Sequence, residues 1–411
     1  MSNILALVLA GGHVEELLCL TEKRAKSALP VFGIYRIIDF VLSNLMHAGI
    51  ENVGILSQYR PHDLVRHIGN GEHWDFLGRQ REIRILPPYR GLKGSDWYKG
   101  TADAVYQNIP FIEEFDVDHI LILSADHVYR MDYKALIDMH LRNDADATIC
   151  FTEQETKSTR FGYGRIENER LVAYVEKPPT PFSDLVSMTL YLFKKDFLIN
   201  MLHMNARESS HEFGKDIIPH IVRDHNVFAF TFPGYWAYAR TIRSYFRTNM
   251  ALLQNHIPLS TWQIRTNLTE RSKYKDRIPA YVNGDVANSV VSDECRIEGT
   301  VKNSILSPGV RVSKGSSIEN SIIFHDTVIN ENVQLRNVIC DKDVVIEEDV
   351  AIGLFGQEIP SKDHASVLGD GISVIGRTMK IPHRTTIGAH TVIYPGARIE
   401  TNRIEPGRTL R

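Results

Sequence analysis

Five isoleucines, Ile375, Ile381, Ile387, Ile393 and Ile399, stand six residues apart without interruption. Few folds tolerate that spacing. An amphipathic helix repeats its apolar residues every three or four positions, and a half-buried strand every two. A six-residue step suits a chain that turns a corner after each short flat side. Upstream, Val310, Ile322 and Val328 keep the same step with Ser316 in the intermediate place, and Val344 and Val350 resume it after a short slip. Gly, Asn, Asp and Pro occupy many of the positions between. The pattern predicts a left-handed parallel β-helix with one inward aliphatic residue per side. A single coil cannot bury its own apolar face, so stacking is obligatory. The stretch 353–371 breaks the step and is expected to loop out.

The first half has a different texture. Short apolar runs at 4–10, 52–57 and 119–125 end in small or polar residues, as buried parallel strands do. Amphipathic stretches such as 37–48 lie between them. The alternation predicts a doubly wound, Rossmann-like α/β domain with its ligands at the carboxyl ends of the strands. Segments 224–232 and 240–254 read as its last strand and helix, and 102–111 and 129–140 as further helices. The expected organisation is an α/β domain over 1–254, a linker over 255–283 and the β-helix over 284–411.

Composition narrows the function classes. A net charge of −3 over 411 residues gives no electrostatic footing for nucleic acid or an anionic membrane. Cys19, Cys150, Cys295 and Cys340 are far apart and read as small buried hydrophobes in a reducing compartment. No apolar run approaches the roughly 18 residues that span a bilayer, and no basic region with a cleavage site opens the chain. A cytoplasmic protein is expected.

The first strand runs into Gly11 and Gly12, the usual preparation for a backbone loop around a nucleotide phosphate. His13, Val14, Glu15, Glu16 and Leu17 follow. A phosphate loop favours small, flexible and cationic residues; this one brings a β-branched side chain and two carboxylates.

Longer motifs supply a context for that conflict. They are Lys23-Arg-Ala-Lys-Ser-Ala-Leu-Pro30, Tyr35-Arg-Ile-Ile-Asp-Phe-Val-Leu-Ser-Asn44 and Ser57-Gln-Tyr59. Trp97-Tyr-Lys-Gly-Thr-Ala-Asp-Ala-Val-Tyr-Gln-Asn108 and Leu123-Ser-Ala-Asp-His-Val-Tyr-Arg-Met-Asp-Tyr133 follow. Glu176-Lys-Pro178, Ser187-Met188, Phe213-Gly214 and Gly234-Tyr-Trp236 complete the set. In order and over nearly the whole chain, this resembles the ADP-glucose pyrophosphorylase (glucose-1-phosphate adenylyltransferase) family of sugar-phosphate nucleotidyltransferases.

The resemblance implies a reaction in which ATP and glucose 1-phosphate give ADP-glucose and pyrophosphate. The sugar phosphate attacks the α-phosphorus in line, with Mg²⁺ and cationic groups stabilising the developing charge. It assigns nucleotide contacts to Leu9, Ala10, Gly11, Gly12, Tyr98, Gly100 and Thr101. It assigns sugar-phosphate contacts to Gly162, Glu176, Lys177 and Ser187, and the metal to Asp126, at the end of a strand. Lys26 matches the lysine of the family's R-A-K-P motif. Arg36 matches part of the effector motif, in which Ile34 replaces a lysine; His62, Arg66 and His67 add charge to the neighbouring sequence. Thr189 replaces a glycine after Ser-Met, adding bulk beside the sugar, and Glu212 stands where Asp is commoner.

The departures are concentrated at the phosphates. The family loop runs G-G-x-G-T-R-L, and its arginine reaches the phosphates. Here Val14 replaces a glycine, Glu15 a hydroxyl and Glu16 the arginine. At about 4 Å and an effective dielectric near 20, two like charges repel by roughly 4 kcal/mol. In the family's G-Y-W-x-D-x-G-T, the aspartate shares the metal; Tyr238 replaces it here, and Arg240 replaces the glycine. A phenol is a poor Mg²⁺ ligand, so the metal site is expected to be weakened.

The resulting expectation is a subunit with damaged catalytic phosphate machinery and surviving sugar and adenine pockets. Such a chain would serve as a regulatory partner of an active paralogue in a hetero-tetramer of glycogen or starch-type synthesis, or assemble with itself. Alternatives are an active adenylyltransferase with a rearranged phosphate loop, and a hexapeptide acyltransferase using His383 or His390.

Overall fold

The computed structural model describes residues 3–12, 14–88, 97–154, 157–207, 210–268 and 278–411. His13 of the opening loop and 269–277 of the expected linker lie outside the described residues. By proximity the chain divides into two compact units: Met1–Gly12 with Ile38–Trp236, and His13–Ile37 with Ala237–Arg411.

A nine-stranded sheet frames the first unit. Its strands are β1 (Ile4–Leu9), β2 (Asn52–Leu56), β3 (Glu82–Leu86), β4 (His119–Ser124), β5 (Ala147–Glu153), β6 (Gly162–Glu167), β7 (Arg170–Glu176), β8 (Leu185–Lys194) and β9 (Val227–Phe232). They lie in the order β3-β2-β1-β4-β8-β5-β9-β7-β6. The three strands expected from the apolar runs are adjacent and parallel, with Leu7 of β1 beside Gly54 of β2 and Ile122 of β4. Leu5 to Val8 are fully buried, because both faces of a central strand are covered. Antiparallel β8 ends the parallel run beside β4, so the sheet is mixed.

Two helix expectations need correction. The stretch 102–111 forms two short helices, Thr101–Tyr106 and Ile109–Glu113. Pro110 has no N–H and is accommodated only at a helix start. The stretch 129–140 begins with a strand, His127–Tyr129, and its helix is Lys134–Arg142. Asp132 Oδ1 accepts the Lys134 N–H at 2.9 Å just before that helix. Among the described residues, no helix is long and apolar enough to cross a membrane.

The second unit contains the left-handed β-helix, built from three parallel sheets of six, seven and seven strands. Val312, Ile329, Ile346 and Ile381 stack on one side. Val301, Ile318, Leu335, Ile352, Ile387 and Ile404 stack on the second. Leu306, Ile323, Cys340, Ile375, Ile393 and Leu410 fill the third. Ile375, Ile381, Ile387 and Ile393 thus face inward as expected, whereas Ile399 lies outside the ladders and is only partly buried. The earlier register differs: from Val301 to Ile352 the coils are 17 residues long, as from Val312 to Ile329, so one side in three advances by five residues. Val328 is accordingly half-buried while Ile329 is fully buried. The slip inferred before Val344 is this shorter side, recurring in each early coil.

Corners carry Asn320, Asp326, Asn332, Asn337, Asp343 and Asp349 at φ between +47° and +59°, where short polar side chains tolerate the left-handed conformation. The interruption falls where the periodicity failed: strand Ala351–Ile352 is followed next by Ser373–Ile375. His390 fastens this excursion by accepting the Gly371 N–H at Nε2 (2.9 Å) and bonding the Ile359 carbonyl from Nδ1 (2.7 Å).

The segment 13–37 is contiguous with β1 in sequence but groups with the β-helix unit. Arg24 and Asp341, both essentially without solvent exposure, form a buried ion pair. The Phe32 N–H donates to Asn249 Oδ1 at 2.9 Å, and the Tyr245 hydroxyl donates to the Pro30 carbonyl. In the described part of 255–283, a short helix at Leu259–Trp262 buries Trp262, and Ile264 is buried beyond it.

Candidate active site

In the first unit the residues expected at the sugar phosphate converge on Glu176, the last residue of β7. The Tyr174 hydroxyl donates to Glu176 Oε2 at 2.7 Å, and Lys177 Nζ lies 3.5 Å from Oε1. Burial pushes the Tyr174 phenol well above its ordinary value, which keeps the donor proton in place. Gly162 pairs with Glu176 across β6 and β7. A Cβ on Gly162 would sit 2.6 Å from Glu176 Oε2, and one on Gly214 would sit 2.5 Å from it. Two glycines therefore make the slot that the carboxylate occupies. Ser187 is buried on neighbouring β8, where its Oγ accepts the Thr189 N–H at 3.4 Å.

The bulk expected at Thr189 is present in strained form. Its φ is +51°, within a shift of register between Ser187 and Tyr191 where β8 pairs with β5. A β-branched residue is unusual at such an angle. Tyr174 was not expected at the site; its signal is its position two residues before Glu176, on the same face of the strand.

The expected nucleotide residues form a chain of backbone contacts. The Ala10 N–H, just past Leu9, donates to the Leu56 carbonyl at 2.8 Å, and Gly11 packs against Gln58. Gln58 Oε1 accepts the Tyr98 N–H at 2.8 Å. The Tyr98 ring is buried in the core, and its hydroxyl donates to the Leu86 carbonyl at 3.0 Å. Beside Gly100, the Ala102 N–H donates to the His211 carbonyl at 2.9 Å, and Thr101 Oγ1 accepts the Phe213 N–H at 3.1 Å. Gly100 and Thr101 thereby adjoin the Phe213–Gly214 turn that confines Glu176. Gly12 follows Gly11 at the carboxyl end of β1.

Asp126 lies just after β4, and the helix that follows begins only at Lys134. Its Oδ1 accepts from the Ser124 hydroxyl and lies 3.1 Å from His127 Nε2. A hard divalent cation needs several oxygen donors. Among the described residues no group of three His, Cys, Asp or Glu side chains could hold one. The protein's share of a Mg²⁺ site in this unit is one carboxylate already engaged by two neighbours, a poor fit.

In the second unit the altered loop is a folded element. Val14 is buried with φ −128°, an angle that suits valine where a left-handed one would not. Glu15–Leu20 forms 3₁₀ turns that bury Leu17 to Leu20 and place Glu15 and Glu16 at the amino end, where carboxylates are favoured. Glu16 Oε1 accepts from Arg240 Nε at 3.1 Å. Arg240 Nη1 donates to the Tyr238 hydroxyl at 2.8 Å, and Lys26 Nζ stands 4.2 Å from the centroid of the Tyr238 ring. Burial works against the Arg240 charge, but Tyr238 and Glu16 outweigh it and hold the guanidinium above its ordinary range. The altered positions 16, 238 and 240 thus form one network with Lys26.

Other expected groups sit elsewhere. Arg36 lies in the hairpin of Pro30–Val31 and Tyr35–Arg36 and is 4% exposed. His67 is a core residue, its Nε2 2.6 Å from Asp39 Oδ1. His390 has both ring nitrogens committed to backbone groups, while His383 is exposed beside Glu347.

A sheet of this order with the expected motifs at its strand ends, together with a hexapeptide β-helix, defines a nucleotidyltransferase architecture. Residues 5–255 match the family model described as nucleotidyl transferase, and 278–375 match that of the GlmU-like C-terminal hexapeptide domain. The glucose-1-phosphate adenylyltransferase of Thermotoga neapolitana is 46% identical over 99% of this chain and 98% of its own length. That of Thermosipho melanesiensis is 45% identical over 96% of both chains, and that of Halalkalibacterium halodurans 42% over 77% of this one and 84% of its own. The chain belongs to the glucose-1-phosphate adenylyltransferase family.

Proposed function

We propose that this chain is a regulatory, catalytically impaired member of the family, working in a cytoplasmic hetero-tetramer with an active paralogue in glucan synthesis. The observation that carries the reading is the engagement of Glu16 and Tyr238 by Arg240. Where the family resemblance calls for an arginine and a metal carboxylate, this chain has a carboxylate and a phenol bonded to their own cation. Glu176, confined by Gly162 and Gly214, supports retained recognition of glucose 1-phosphate or ADP-glucose. Asp126, the carboxylate left at the expected metal position, is a poor fit for Mg²⁺ on its own, which agrees with impaired catalysis. The chain's own residues would orient the sugar through Glu176 and Lys177 and seat the base against the Gly100–Thr101 turn.

A second reading, an active adenylyltransferase, is favoured by the full-length similarity to relatives bearing that name. The acyltransferase alternative lacks a free histidine base in His390. Pyrophosphate release from ATP and glucose 1-phosphate separates the first two. The purified chain is expected to give none, and to change the rate or effector response of the active paralogue when co-purified with it. Turnover by the chain alone at the rate of an active enzyme contradicts the proposal.

A further inference from the structure

Arg240 has three nitrogens, and the structure commits two of them. Nε is bonded to Glu16 and Nη1 to the Tyr238 hydroxyl. Among the described residues no hydrogen bond reaches Nη2, and the side chain is 32% exposed. Two bonds fix the plane of the guanidinium, so its remaining N–H groups point in a set direction. A planar fork of this kind matches a phosphoryl oxyanion, and pre-orientation lowers the entropy lost on binding. Lys26 Nζ, on the ring of Tyr238, adds a second cation to the network. Counted as Lys26⁺, Arg240⁺ and Glu16⁻, the group is net positive. Arg240 also precedes the helix Ile242–Leu253, whose amino end contributes potential of the same sign.

We infer that Arg240 is a phosphoryl-oxyanion ligand of this chain, aimed by Glu16 and Tyr238, and that it binds without a divalent metal. Glu16 is then a positioning residue, and the positive charge missing from position 16 is supplied from position 240. This rests on the reading that Glu16 and Tyr238 displace the family's phosphate chemistry. It concerns binding alone, so its test is independent of turnover.

The test is calorimetric titration of the purified full-length chain with inorganic pyrophosphate, and separately with ATP, in EDTA and in Mg²⁺. Binding in EDTA that Mg²⁺ does not tighten is expected for at least one of the two. Pyrophosphate binding without ATP binding identifies a free phosphate ligand; ATP binding without pyrophosphate binding identifies a nucleotide tail. Arg240→Gly should weaken the interaction by about tenfold or more, the scale of a charge-assisted hydrogen bond. Arg240→Lys, which keeps the charge but not the fork, should also lose most of it while leaving the melting temperature within a few degrees. Glu16→Gln, which removes the negative charge and keeps an acceptor for Nε, should bind at least as well. Binding that requires Mg²⁺, absence of binding in EDTA, or unchanged affinity in both Arg240 variants overturns the inference.

Discussion

Two regions that the sequence reading assigns to one reaction are built on opposite logic. Around Glu176, the pocket is shaped by what is absent: Gly162 and Gly214 leave room for a carboxylate that Tyr174 then holds. Around Glu16, the group a phosphate would need has been exchanged for its opposite, and Arg240 compensates from 224 residues away. The first arrangement fixes a carboxylate through steric fit. The second stabilises the loop through internal charge pairing, with no need of a ligand. Under the proposed function, such a site could lose one chemistry and keep another, because the two depend on different physical terms.

The largest test of the contrast concerns how the altered loop is anchored. Arg24→Met leaves Asp341 buried without its cation and should cost about 3–5 kcal/mol in denaturant unfolding. Adding Asp341→Leu should restore much of that, since a buried pair often does little better than apolar replacements.

Acid should weaken the first unit. Burial, reinforced by His119 and Lys194, holds His140 at about 3, below its ordinary 6.5. Between those values the unfolded chain takes up a proton that the folded chain refuses. Stability should fall as pH drops from 6.5 towards 3, by up to about 1.4 kcal/mol per pH unit. His140→Gln should flatten the melting temperature over that range.

Gly214→Ala attacks the steric side directly. It should cost about 1–3 kcal/mol through overpacking against Glu176 and abolish glucose 1-phosphate binding measured by calorimetry. The charge side predicts a smaller effect. Glu16 and Arg240 are each partly exposed, so a double-mutant cycle should give a coupling of about 0.2–1 kcal/mol. The smallest change is expected from Thr189→Gly. Relief of a left-handed threonine, about 1–2 kcal/mol, is largely offset by glycine's backbone entropy, leaving a gain of a few tenths in thermal unfolding.

Much of the architecture was legible because it rests on local periodicity. The strands at 4–10, 52–57 and 119–125 announce themselves by continuous apolar runs, and Ile375 to Ile393 by their spacing. The early coils were harder, since a five-residue side moves the inward position from Val328 to Ile329 and both residues are aliphatic. Glu176 and Asp126 were findable from motifs, but Tyr174 and the glycine walls around Glu176 depend on packing across strands. The grouping of 13–37 with the β-helix unit rests on partners such as Asp341 and Asn249, which no local pattern advertises. Glu16 and Arg240 could each be seen as a departure from the family pattern. Their pairing required three dimensions.

The central claim is that phosphate chemistry has been displaced while ligand recognition remains, and pyrophosphate release by the purified chain tests it most directly. With ATP, glucose 1-phosphate and Mg²⁺ and no paralogue present, the account predicts no release above background. Sustained release at a rate typical of enzymes, about 1 per second or faster, would contradict it.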